Sequence, residues 1–72
     1  MEKEDFLKKV GENIKKLRTE KGLSQAELAR RCDKERASIE RIENGKINSS
    51  AYVLYEVAKG GDLDLKSFFE DL

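Results

Sequence analysis

The chain contains no proline and no histidine, and it has a single cysteine among its 72 residues. Without histidine, the usual general base and the commonest metal ligand are missing. One cysteine, Cys32, excludes an intramolecular disulfide and a cysteine-based metal site, and this usage fits a reducing compartment. No apolar run approaches the roughly 18 residues that a membrane span needs. The opening stretch MEKEDFLKKV lacks the apolar core of a secretory signal. A cytoplasmic protein with no membrane partner is the expectation. Net charge is absent as well, since 15 basic side chains offset 15 acidic ones. There is no nucleophile–base pair and no phosphate-cradling glycine loop, because ENGKIN carries a Gly-Lys pair without P-loop spacing. Catalysis is not expected, and neither a cofactor nor a metal is implied.

What remains is a short, heavily charged chain, with 42% of residues Asp, Glu, Lys or Arg, a composition that suits helices. Residues 1–72 make one small domain with a thin core, burying about 60% of the surface that the unfolded form exposes. The charges are unevenly placed. Residues 1–48 carry 13 basic and 10 acidic groups, or +3, while residues 49–72 carry 2 and 5, or −3. One end is therefore mildly positive, which is compatible with a side that faces phosphates.

Phe6, Leu7, Val10, Ile14 and Leu17 recur at helical spacing and predict a first helix from residue 5 to about 20. Glu4–Lys8, Asp5–Lys9 and Glu12–Lys16 are spaced as i,i+4 pairs on its other face. Gly22 is suited to end it. Ser24 with Glu27 forms a capping box for a second helix, and Leu23 can staple onto Leu28. Leu28, Ala29 and Cys32 give that helix an inner face, with Cys32 read as a small buried hydrophobe in preference to a redox sensor. Asp33 and Lys34 break it. A third helix is predicted from about 36 to 44, with Ile39 and Ile42 inward and Gly45 closing it. Its outer side carries Ala37 and Asn44, flanked by Arg36, Glu40 and Arg41.

Asn48, Ser49 and Ser50 offer caps for a fourth helix that buries Val53, Leu54, Val57 and Ala58 and stops at Gly60 and Gly61. Tyr52 and Tyr55 read as packing or rim residues. Asp64 can cap a last short helix with Leu65, Phe68, Phe69 and Leu72. Five short helices in one all-α globule is the expectation.

LRTEKGLSQAELARRCDKERASIERIENGK resembles the helix-turn-helix family of lambdoid phage repressors and Cro, also called Xre-type. The likeness runs over about residues 8 to 70: a KGLSQAELA opening, an IERIENGK close and a final LxLxxFF segment agree at once. It implies a five-helix lambda-repressor-like domain whose helix-turn-helix spans about residues 24–44. It also implies a sequence-specific regulator of transcription, a repressor or autoregulator, that sets its third helix in the major groove of double-stranded DNA.

Carried over by position, Arg36, Ala37, Glu40 and Arg41 would face base edges. Gln25, Asn44, Lys46, Asn48 and Ser49 would hold the DNA backbone. Arg18 and Glu43 match an ion pair that ties the first helix to the third. The chemistry suits these roles, since a guanidinium can read guanine through two hydrogen bonds, and Ala37 lets the helix approach a thymine methyl. Glu40 has two readings: it accepts from cytosine, or it orients Arg36 through an i,i+4 pair. Exposed arginines and Gln25 could also be plain solvated surface.

The chain departs from the family at several positions. Asp33 stands where the turn has glycine, Lys34 where an apolar residue follows, and Glu35 where a Ser or Thr cap is usual. Gly61 replaces a large apolar side chain, which predicts a cavity or a loosened helix end. A homodimer on a palindromic operator is expected, paired through Leu65, Phe68, Phe69 and Leu72, the alternative being that the phenylalanines complete the monomer core. A protein-interaction or antitoxin-type module with the same fold, and a protein partner, is the rival function.

Overall fold

A computed structural model describes residues 1–72. Four α-helices follow in order, α1 (Lys3–Glu20), α2 (Gln25–Arg31), α3 (Arg36–Glu43) and α4 (Ala51–Gly61), and a short 3-10 helix, Leu65–Phe69, closes the chain. The fold is all-helical, as the patterning indicates, but the fifth element is not an α-helix. Its reason lies in the spacing: Leu65 and Phe68 are three residues apart, the repeat at which 3-10 side chains eclipse and face one way. Asn13 of α1 then seals the open end of that turn, its side-chain amide donating to the carbonyls of Phe68 and Glu70 at 2.9 Å each.

The core is drawn from every helix: Val10 and Ile14 of α1, Leu28 and Ala29 of α2, Ile39 and Ile42 of α3, Leu54, Val57 and Ala58 of α4, and Phe68. Phe68 is fully enclosed within the single chain. It is therefore a core residue and adds no free surface to pairing through this segment. Burying one such ring contributes about 1.5–3 kcal/mol, a sizeable share for so small a domain.

Local signals set the helix ends. Gly22 and Gly45 take left-handed φ values of +74° and +68° after α1 and α3. The Ser24 hydroxyl accepts from the Glu27 amide at 3.0 Å, a cap of about 1 kcal/mol. The box is only half formed, since the Glu27 carboxylate turns instead toward Arg30, 3.9 Å away. Ser50, not Asn48 or Ser49, caps α4, accepting from the Val53 amide at 3.1 Å.

The glycine pair does not stop α4. Gly60 and Gly61 are its last helical residues, and Asp62 ends it at φ +54°. Nor does Gly61 leave a hole. A Cβ there would lie 2.6 Å from Leu28 Cδ1 and 3.1 Å from Leu63 Cγ, so those leucines already occupy the space.

Candidate nucleic-acid interface

The turn joining α2 to α3 is short, and it fixes how α3 is presented. Asp33 adopts φ +58°, the left-handed conformation for which glycine is usual and which aspartate tolerates better than most residues. Its amide and that of Lys34 bond back to the carbonyls of Arg30 and Ala29. Lys34 extends across to α4, where its ammonium meets Glu56 Oε1 at 2.9 Å. Its stem lies partly buried, as a snorkelling lysine does, and the ion pair clips the turn to the fourth helix. Glu35 provides no side-chain cap for α3.

Ile39 and Ile42 anchor the inner face of α3 at 1% and 6% exposure. Arg36, Ala37, Glu40 and Arg41 are all exposed, and none of the four takes part in a side-chain hydrogen bond or ion pair. The Arg36–Glu40 pair is thus not closed in the free protein. Two guanidinium groups, a carboxylate and a methyl stand clear of the molecule within one and a half helical turns. Such a strip offers bidentate donors, an acceptor and a small apolar contact, the groups that base edges in a major groove match.

Beneath the strip lies a buried ion pair. Arg18 of α1 donates from Nε to Glu43 Oε2 at 2.6 Å and from Nη2 to Glu43 Oε1 at 3.0 Å. Its third nitrogen, Nη1, donates to the Leu23 carbonyl at 2.7 Å. The side chains are 8% and 1% exposed, and this forked geometry is the strong form of the interaction. One guanidinium therefore ties α1, the loop before α2 and the end of α3 together.

Gln25, at the start of α2, joins the same cluster. Its amide donates to Glu43 Oε1 at 3.0 Å, so it is not a plain surface residue. A primary amide has a second N–H, which is available to another acceptor.

The remaining positions separate. Asn44, Lys46 and Asn48 are exposed in the segment after α3. Ser49 differs: its hydroxyl is enclosed and has no hydrogen-bond partner, so from this position it does not reach an external phosphate. The spacing of Glu4–Lys8, Asp5–Lys9 and Glu12–Lys16 on α1 likewise produces no ion pair; the four that form are Arg18–Glu43, Lys21–Asp62, Glu27–Arg30 and Lys34–Glu56. Sequence patterning misses the Gln25, Asn13 and Lys34 contacts, because each joins segments far apart in the chain. Cys32 is buried with its thiol 2.7 Å from the Leu28 carbonyl, and desolvation pushes the thiol pKa up, which suits a packing role. Tyr52 and Tyr55 are rim residues, both exposed, with ring centroids 5.9 Å apart.

Comparison with known proteins matches this arrangement. A helix-turn-helix family model (HTH_3) fits residues 14–68. An uncharacterised HTH-type transcriptional regulator, y4dJ of Sinorhizobium fredii, is 38% identical over 55 residues, 76% of this chain and 71% of that protein. Among solved structures, the restriction-modification controller protein C.AhdI from Aeromonas hydrophila is 33% identical. It superposes with a TM-score of 0.82, over 88% of this chain and 96% of that one. A variant of a second controller, C.Esp1396I, is 38% identical with a TM-score of 0.83, over 92% of this chain and 88% of its own. The chain belongs to the helix-turn-helix family (HTH_3) of DNA-binding transcription regulators.

Proposed function

We propose that this chain acts as a cytoplasmic homodimer that reads a palindromic operator by setting α3 in the major groove, in the manner of a repressor or autoregulator. The observation that carries the reading is the outer face of α3, where Arg36, Ala37, Glu40 and Arg41 stand exposed and unpaired over a rigidly buried opposite face. Arg36 and Arg41 each offer a fork of donors to guanine, a contact worth about 1–3 kcal/mol of discrimination. Glu40 accepts from cytosine, and Ala37 keeps the helix close enough for those contacts. With no Arg36–Glu40 pair to break, both side chains are free to bond to bases.

Asn44, Lys46 and Asn48 hold the backbone on one side of the groove. Gln25 holds it on the other, donating one N–H to a phosphate while the second stays on Glu43. The likeness to two restriction-modification controllers supports a controller role for this regulator. No catalytic step, cofactor or metal enters this function.

The test is selection of tight sites from random-sequence duplex DNA at two salt concentrations. Recovery of a palindrome whose binding weakens steeply with salt is the expected result. No enrichment over background at low salt would overturn the reading in favour of a protein partner for the same face.

A further inference from the structure

The outer face of α3 ends at Asn44, and from there the polar surface continues onto α1. Gly11 lies where α1 crosses the end of α3. A Cβ at that position would run into the carbonyl oxygens of Ile42 and Glu43, so only glycine lets the two backbones come this close. Gly45 repeats the device, since a Cβ there would lie 2.8 Å from the Lys8 Cα. The two close approaches bring Lys8 and Lys15, which precede and follow Gly11 on α1, up beside Asn44. Together with Glu12 and Glu43 these residues line a hollow of about 250 Å³ that contains no hydrophobic side chain.

Both lysines are exposed. Neither has an anionic partner: Glu12 sits four residues from Lys8 without closing a pair, and the Glu43 carboxylate is committed to Arg18 and Gln25. Two unpaired cations therefore flank the C-terminal end of the proposed reading helix. Seven residues of helix set them about 10.5 Å apart along α1.

We infer that Lys8 and Lys15 form a second phosphate clamp, on α1, that grips the DNA strand passing the end of α3. The inference rests on the major-groove reading above and extends it, because α3 then reads bases while α1 fixes the register of the helix along the groove. A competing role for the lysines is to offset the negative end of the α3 dipole. That role acts on folding stability and leaves the salt dependence of DNA binding alone, so the two can be told apart.

The experiment uses the full chain with Lys8→Gln, Lys15→Gln and the double replacement. Lys16→Gln serves as a control, since Lys16 lies on the same helix beside Asn13 and Glu70 on a different side. Affinity for the selected operator is measured across about 50 to 200 mM salt. The expected result is a log affinity–log salt slope that falls by about 0.9 for each lysine removed. The ranking of operator sequences and the thermal midpoint should be unchanged, and Lys16→Gln should keep the wild-type slope. A wild-type slope in the double variant, with or without a lowered midpoint, overturns the clamp and leaves the α3 reading intact. Failure of the wild-type chain to prefer any duplex sequence overturns both.

Discussion

At the scale of single residues, the Arg18–Glu43 pair is where stability and recognition meet. Glu43 is the last residue of α3, and its two carboxylate oxygens are shared between Arg18 and Gln25. Glu43→Gln keeps the shape but leaves the Arg18 guanidinium buried without a counter-charge. The expected cost is about 3–5 kcal/mol, read as a fall in the urea midpoint. A domain of this size has only about 4–11 kcal/mol to lose, so the variant should be near unfolding at 37 °C. Replacing both partners by methionine should recover most of that loss, because no lone charge is then buried. A Glu43→Gln variant as stable as the parent would mean that water reaches the pair in solution and that its enclosure is not permanent.

At the scale of elements, the helix-turn-helix is held by a turn that carries one unfavourable residue. Asp33 has φ +58° and no side-chain bond that compensates for it. Asp33→Gly should therefore stabilise the domain by about 0.5–1 kcal/mol. The left-handed conformation costs an L-residue about 1–2 kcal/mol, aspartate somewhat less, and glycine's greater unfolded-state freedom takes back part of the gain. Thermal unfolding checks this directly, and a lowered midpoint would show that the carboxylate does something for the turn that its geometry does not reveal.

The same element shows how far a sequence can be read. Ile39 and Ile42 recur at the helical period, so periodicity alone places the buried stripe of α3, and with it the exposed face. Asp33 and Lys34 likewise mark the break. The last element cannot be typed in this way, because LxLxxFF contains both an i,i+3 and an i,i+4 spacing. Phe68 goes inward, Asn13 bonds the carbonyls behind it, and a 3-10 turn results. Gly61 misleads in the opposite direction. Its missing side chain points to a cavity, yet Leu63, two residues on, folds back into the same place, a compensation invisible to position-by-position comparison. The link from Gln25 to Glu43 joins residues 18 apart and has no local signature at all.

At the scale of the molecule, the proposed dimer has less apolar surface than the sequence pattern suggests. With Phe68 enclosed, the patch comes down to Leu65, partly buried, and to Phe69 and Leu72 at 39% and 45% exposure. A standard interface covers about 800 Å² per partner, roughly one sixth of the 4793 Å² surface here, so polar groups around the patch must take part. Those groups lean acidic: Asp64, Glu70 and Asp71 flank the closing helix with Lys66; Glu20 and Lys16 of α1 lie beside Glu70, and Asp62 is paired with Lys21.

Two copies brought together through this end place like charges near each other, and salt screens that repulsion. Salt should therefore act in opposite directions on the two associations, tightening the protein dimer while it weakens the grip on DNA. Sedimentation equilibrium between low and high salt should show a dimer constant that improves with ionic strength. Phe69→Asp should hold the chain as a monomer, keep its fold, and lower affinity for a full palindrome by about 100-fold while half-site binding is spared. A chain that stays monomeric at high micromolar concentration in high salt, or a Phe69→Asp variant with undiminished palindrome binding, would rule out pairing through this face.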